Sequence, residues 1–468
     1  MKDLLHRPLT RVVELLRGRE ISPVELMHAT LDRIAETRES LNAFNEVGDG
    51  DGLLDEARAA EARIGRGEAR PLEGIPLGVK ELEDARPYHS THGSVPFRDV
   101  VAAQDSAQVE RLRAAGAIVV GKTNAPEFGY TALTKNLLYG VSRNPWNLEH
   151  TPGGSSGGSS AAIAGGVVTL ATASDGGGSV RIPASFTGCF GLKVSYGRIP
   201  HGPEDLWTMD DTAVHGPLTR TVEDAALHLD VVVGAHPLDP NSLPHPGLSY
   251  RAVLRDLPKR LRFGYSADLG YAVVQSDVAT AVEKAARAFE ELGHSVEPLV
   301  DGPPEPGEDW GLSGAWELLA RLGSLLPDRE ADFGRGFIEG VKLGRHMDAE
   351  RWGAFRRRRE ELNRWCASAF ERFDLILTPT VPYDPPVARG PLRGEVEGRR
   401  QPLANVGSFT MPFNLSWHPA ATVRAGMSRA GLPVGLQIAG PRHRDDLVLQ
   451  ASWAFEQARP WAEHWPIV

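Results

Sequence analysis

Apolar positions near the start of the chain recur three and four residues apart, the spacing of one helical face. In ISPVELMHATLDRIAE (21–36) Ser22 supplies an N-cap, Pro23 a first helical residue, and Glu25 the far side of a capping box. LLDEARAAEARIGRG (53–67) reads as a second, charged helix ending on glycines. The pattern then shortens. PLEGIPLGVKEL (71–82) is broken by Gly74, Pro76 and Gly78, which predicts a turn and a short strand carrying Val79 and Lys80. AQVERLRAAGAIVVGKTN (107–124) predicts a helix, a Gly116 terminator, a buried strand over Ala117–Val120 and a loop.

Helix and strand keep alternating toward the C-terminus. TRTVEDAALHLDVVVG (219–234) is a helix with Thr221 as its cap, RLRFGYS (260–266) a strand, SDVATAVEKAARAFEELG (276–293) a helix and HSVEPLV (294–300) a strand. FDLILTPT (373–380) and PVGLQIAG (433–440) fit further buried strands. This alternation predicts an α/β fold with helices on both faces of a sheet. No internal repeat and no domain boundary stands out. The proline-rich stretches 301–307 and 382–402 read as long surface loops.

Composition changes little. At 468 residues, 41% hydrophobic and 24% charged, the chain has the make-up of a soluble globular enzyme. A net charge of −10 gives no support to a nucleic-acid partner. The one basic run, FRRRREEL (355–362), lets Arg356 and Arg357 face Glu360 and Glu361 at i,i+4 spacing and reads as a solvated helix face. Two cysteines, Cys189 and Cys366, are too few to staple such a chain, so a reducing compartment is expected. The charged first helix is no secretory signal, and no apolar run approaches the ~18 residues of a membrane helix. These readings place the protein in the cytoplasm, away from membranes.

Several motifs compete for the chemistry. GAIVVGKT (116–123) fits the phosphate-loop pattern G-x4-G-K-[ST]. Its middle residues Ala-Ile-Val-Val prefer a strand to a glycine-flexed loop, so nucleotide binding is set aside. His89 and His92 in HSTH lack a third ligand and read as surface or turn histidines, which leaves no metal site. Cys189, among small and apolar neighbours, reads as a packing thiol. The glycine–serine run GGSSGGSS (153–160) has the composition of a linker, yet it opens into the apolar AAIAGGVVTLATA (161–173) and so belongs inside a domain.

In SDGGGSVRIPAS (174–185) three glycines precede Ser179. Consecutive glycines can aim backbone amides one way, as an oxyanion hole requires, and the serine after them could attack a carbonyl. A tight turn with an incidental serine fits the same residues. A serine nucleophile needs a base; His150 lies near, but Lys80 in the apolar IPLGVK is the better candidate, because burial lowers a lysine pKa. An exposed lysine of pKa ~10.4 would be handicapped by about 4.6 kcal/mol at pH 7.

Together GIPLGVK (74–80), PGGSSGGSS (152–160) and SDGGGSVRIPASFTGCFGLK (174–193) resemble the amidase signature family. GKTNAPEFGYT, NLLYG, RNPWN and GPLTRTVEDAAL extend the resemblance over about 71–234; FDLILTPTVP and GLPVGLQIAG continue it. The resemblance implies one large α/β/α domain over 1–468 around a mixed sheet, with an N-terminal helical portion over 1–68. It places a Ser–cis-Ser–Lys triad on Ser179, Ser155 and Lys80, with a cis peptide before Ser155. The amides of Gly176, Gly177, Gly178 and Ser179 become the oxyanion hole, Gly129 lines the substrate pocket, and Asp175 and Arg181 support the loop. Two positions depart from the family pattern: Gly176 stands where threonine or isoleucine is usual, and Glu81-Leu82 follow the lysine where Asp-Asn is common.

The implied function is hydrolysis of a small-molecule carboxylic amide to acid and ammonia or amine, without cofactor; a homodimer is the one assembly considered for it. Two alternatives stand beside it. One is an amidotransferase A-type subunit releasing ammonia for a tRNA-dependent partner; HGPEDLWTMDDTAVHGPL (201–218) lacks the Ser-Leu-Asp run associated with it. The other is a non-catalytic binding protein on the same fold. Trp207, Met209, Trp310 and Trp316 are read as core packing or as an apolar pocket wall.

Overall fold

Strand-forming runs spread over nearly the whole chain assemble into one sheet. The computed structural model describes residues 2–202, 211–305 and 307–468. In chain order the strands of this sheet are β1 (Phe44–Val47), β2 (Pro76–Lys80), β3 (Ile118–Thr123), β4 (Leu170–Ala171) and β5 (Phe190–Lys193). They continue with β6 (Leu218–Thr219), β7 (Arg262–Tyr265), β8 (Ser295–Pro298), β9 (Leu375–Pro379), β10 (Ala420–Met427) and β11 (Pro433–Ala439). The eleven strands lie in the order β1-β3-β2-β4-β6-β5-β10-β11-β9-β7-β8. β2 runs parallel to β3 and β4, and β7 parallel to β8 and β9. The other neighbours are antiparallel, so the sheet is mixed, as expected.

Alternation within the strands defines the layers. Val119 joins one apolar cluster while Ile118 and Val120 join another; Leu170 and Ala171 divide the same way. Successive strand residues point to opposite faces, so the two clusters lie on opposite sides of the sheet. One holds Val12 and Leu16, Leu227 and Leu229, Val278 and Val282, and Val448. The other holds Met27 and Ile34, Leu53 and Ala57, and Ala161–Ala164. Helices therefore cover both faces, an α/β/α arrangement.

The caps are those read from the sequence. Ser22 and Glu25 form a reciprocal capping box on helix Pro23–Leu41, and Thr221 accepts from the Asp224 amide. Other expectations need correction. The portion before residue 68 is not all helical, because AFNEV supplies edge strand β1, pairing with β3. Four residues are too short for a periodicity to announce. β3 does not stop at Val120 but runs to Thr123, and Lys122 is buried with its amine donating to the carbonyls of Glu83 (2.5 Å) and His89 (3.3 Å). A lysine committed to two carbonyls inside a sheet is no phosphate ligand. The helix expected over 276–293 divides into Ser276–Ala286 and Ala288–Glu291. The tract 382–402 is not all surface loop: residues 382–386 are buried, and His150 Nδ1 meets the Pro385 carbonyl at 2.6 Å. In the arginine run Arg359 is buried, bonded to the Leu415 carbonyl at 2.7 Å and paired with Asp211; its neighbours Arg356 and Arg357 are exposed.

Candidate active site

β2 is buried along its whole length, which is why PLGVK is apolar up to its last residue. That residue is Lys80, with 0% of its surface exposed. Its Nζ lies 2.8 Å from Ser155 Oγ, 2.8 Å from Ser174 Oγ and 3.2 Å from the Ser174 carbonyl. Burial lowers the amine pKa from 10.5 to about 7, with Asp175 and Glu83 pulling partly the other way. A neutral amine has two N–H groups and one lone pair. The Ser174 carbonyl can only accept and takes one N–H, and the Ser174 hydroxyl can take the other. The lone pair is then free to receive the Ser155 O–H.

The pH dependence follows with its sign. Below pH 7 Lys80 is increasingly protonated and loses that lone pair. We expect kcat/KM for an amide to rise about tenfold per pH unit up to about 7 and then level off. A profile flat from pH 5 to 8 would contradict a neutral Lys80 as base.

Ser155 sits in the glycine–serine run, 3% exposed, after a cis Gly154–Ser155 peptide. The glycines are needed because protein packs where their side chains would be. A Cβ on Gly154 would stand 2.7 Å from the Thr131 carbonyl, and one on Gly158 2.3 Å from the Asn124 amide. The run is thus a packed turn entering helix Gly157–Ala164. The Ser156 amide donates to the Ser179 carbonyl at 3.3 Å and holds the two serine loops together.

Gly129 closes this corner. Its φ is +72°, and a Cβ there would lie 2.7 Å from Leu82 Cδ1 and 3.2 Å from Ser155 Oγ. Gly129→Ala would strain the backbone and press on Ser155. We expect a loss of roughly 1–3 kcal/mol in stability. We also expect about a tenfold fall in kcat. Denaturant melts and steady-state kinetics read the two separately.

The turn 175–179 is held from behind. Arg181 is fully buried and donates through Nε and Nη2 to Asp175 (3.0 and 2.9 Å), and to the Thr410 carbonyl, Gln437 Oε1 and Asn414 Oδ1. All five guanidinium N–H groups are thereby used. Burial alone would raise the Asp175 carboxyl; Arg181, Asn414 and Lys193 outweigh it and hold it well below the usual carboxylate range. Asp175 in turn accepts from the amides of Gly178 (2.7 Å), Val180 (3.1 Å) and Arg181 (3.3 Å).

This corrects one expected donor. The Gly178 amide is already committed to Asp175 Oδ1 and cannot also serve an oxyanion. The amides of Gly177 and Ser179 have no acceptor among the described residues. Ser179 and Gly176 are half-buried, and the Ser179 hydroxyl makes no hydrogen bond within the described residues.

Thr410, Asn414 and Gln437 were not singled out in the sequence. Each acts through a backbone carbonyl or the buried ion pair, and no motif marks such contacts. Trp310 packs against Gly177, Trp316 is 43% exposed beside Trp352, and Trp207 and Met209 lie outside the described residues. His92 lies in a turn, as one of the two expectations had it, but is buried rather than at the surface: it stacks on Phe128, and burial lowers its pKa to about 3. His89 is half-exposed against Glu46 at 2.9 Å. Among the described residues no group of three His, Cys, Asp or Glu side chains could hold a metal ion. Cys189 is fully buried, and burial raises its thiol pKa.

The family model described as Amidase matches residues 25–449. The chain belongs to the amidase signature family. An acylamidase of Rhodococcus erythropolis is 35% identical to this amidase signature enzyme, across 98% of this chain and 96% of the relative. The glutamyl-tRNA(Gln) amidotransferase A chain of Roseiflexus sp. (strain RS-1) is 33% identical, across 99% of both proteins. The crystal structure of a bacterial aryl acylamidase of the amidase signature family superposes with a TM-score of 0.90 at 32% identity, covering 98% of this chain and 97% of that one. The enzyme is an amidohydrolase, and no helix among its described residues is long and apolar enough to cross a membrane.

Proposed function

We propose that this enzyme hydrolyses a linear, small-molecule amide through an acyl-enzyme on Ser179. Ser179 Oγ attacks the carbonyl carbon and gives its proton to Ser155 Oγ, which gives its own to the neutral Lys80 amine. The negative oxygen of the tetrahedral intermediate is met by the Gly177 and Ser179 amides, with Gly176 beside them. Collapse breaks the C–N bond, and the proton on Lys80 returns through Ser155 to the leaving nitrogen. Water then attacks the ester by the same relay, releasing the acid and restoring Ser179. Gly129, against Ser155, lines the pocket where the substrate enters. A hydroxyl both donates and accepts, so a serine can bridge nucleophile and base.

The observation that carries this reading is the buried Lys80 Nζ–Ser155 Oγ contact of 2.8 Å, with the amine brought to about 7. The acylamidase relatives support an acyl amide as substrate. Both cysteines are buried and unpaired, which fits a reducing, cytoplasmic setting. The test is release of the coloured amine from a nitroanilide by the purified chain alone. Turnover unaffected by dialysis against EDTA is expected. Absence of turnover until partner chains and glutamine are supplied would favour the amidotransferase reading, and binding without turnover the non-catalytic one.

A further inference from the structure

Three consecutive glycines have no side chains with which to fix their own peptide planes, so the aim of the Gly177 and Ser179 amides must be set from outside the turn. In a trans peptide the carbonyl of one residue and the N–H of the next point opposite ways. Holding a carbonyl therefore aims the following amide. The Gly178 carbonyl accepts from the Ile182 amide at 2.7 Å, which aims the Ser179 N–H. The Gly177 carbonyl accepts from Thr410 Oγ1 at 2.6 Å, which aims the Gly178 N–H toward Asp175. The remaining peptide presents the Gly177 N–H. Its carbonyl, on Gly176, accepts from the indole Nε1 of Trp310 at 3.1 Å and from Thr212 Oγ1 at 3.3 Å.

Trp310 also occupies the space behind that peptide. A Cβ on Gly177 would stand 2.3 Å from Trp310 Cζ2, so the ring replaces a side chain the turn does not have. Trp310 lies in helix Gly307–Leu322, 134 residues from the turn it touches. Leu318 and Leu322 of the same helix pack in the cluster that contains Phe128, next to Gly129. One helix thus backs both the oxyanion turn and the wall against Ser155.

We infer that Trp310 is a positioning residue of this enzyme: its indole N–H holds the Gly176 carbonyl and so points the Gly177 amide at the developing oxyanion. It acts from the carbonyl side of the peptide, away from the substrate, so it governs the chemical step rather than substrate affinity. The inference rests on the acyl-enzyme reading above.

Trp310→Phe keeps an aromatic ring and removes the N–H. With a nitroanilide, kcat falls roughly tenfold while KM stays within about twofold; full loss of one oxyanion donor costs 10²–10³, and here the donor is mis-aimed rather than removed. A boronic acid, which forms a tetrahedral adduct on the serine, loses affinity by about the same factor. The product carboxylate, which makes no tetrahedral centre, keeps its inhibition constant. Thr212→Val, which removes the second donor to the same carbonyl, shifts the same quantities in the same direction by less, and serves if Trp310→Phe does not fold. Unchanged kcat and boronate affinity in both variants would overturn the inference. So would equal losses in boronate and carboxylate binding accompanied by a lowered Tm, which would make the ring mere packing. If the unmodified enzyme is active and labelled on Ser179 while the variants are unaffected, only this inference fails. If Ser179 is not acylated at all, the acyl-enzyme reading falls with it.

Discussion

Lys80→Met is expected to lower kcat at least about 10³-fold while leaving the protein folded, a loss typical of removing the base from a serine relay. Methionine approximates the volume of the lysine stem and offers no lone pair, so the effect isolates the proton transfer from the packing. Lys80→Ala should lose as much activity but add the cost of a cavity, about 2–5 kcal/mol for a long buried side chain. Stability moves the other way in the methionine variant. The native lysine is lowered to about 7 against 10.5, so between these values the unfolded chain binds the extra proton and stability rises with pH. Below pH 7 the wild type carries the full penalty of a buried ammonium, and Lys80→Met is free of it. The variant should therefore melt at or above the wild-type temperature at pH 6 while being nearly inactive. A variant with near-normal kcat would remove Lys80 from the mechanism, because no other described side chain is hydrogen-bonded to Ser155 Oγ.

Arg181→Met is expected to cost about 3–5 kcal/mol at pH 7, the penalty for leaving a buried carboxylate without its partner. Asp175 and Arg181 are both 0% exposed, and Asp175 also accepts from three amides of the serine turn. The acid side carries the signature. In the wild type the Asp175 pKa is depressed, so its contribution is present above the ordinary carboxylate value and survives far into acid. Without Arg181, the largest influence holding that pKa down, burial moves it upward from its depressed value, and protonation then relieves the unpaired charge. The stability gap between wild type and variant should accordingly narrow as pH falls from 7 to 4. Urea melts across that range measure it. A gap that stays constant would mean that packing, not the ion pair, holds the turn.

How much of this was legible before the fold depends on where each constraint lies. Lys80 and Ser179 were candidates from the residues themselves, a lysine in an apolar strand and a serine after three glycines, whereas Ser155 entered only through the resemblance to the amidase signature family. β3 could be separated from a phosphate loop because its four middle residues are strand formers. The long helices with Ser22, Thr221 and their partners were readable because caps are local. What was not legible acts over distance. Thr410 reaches the Gly177 carbonyl across 233 positions, and Gln437 reaches Arg181 across 256. Neither leaves a local pattern, since each needs only one polar atom at the right place. The excess donor at Gly178 was predicted for the same reason: that Asp175 would turn back onto that amide is a matter of three-dimensional closure. Strand β1 was hidden by its length, and residues 382–386 by prolines that resemble loop punctuation while lying in the interior.

The central claim is that Ser179, not Ser155, carries the acyl group. The buried Ser155 is bonded to Lys80, whereas Ser179 is half-buried, has a hydroxyl with no partner among the described residues, and lies on the turn that presents its own amide. A fluorophosphonate distinguishes them. Trypsin cuts after Arg143 and Arg181, leaving both serines in one peptide, so the fragment ions between Ser160 and Ser179 must be read. One label per chain is expected, on Ser179, with Ser155 unmodified. Label on Ser155 with Ser179 free would reverse the two roles, and no label on either serine of an active enzyme would exclude covalent serine catalysis.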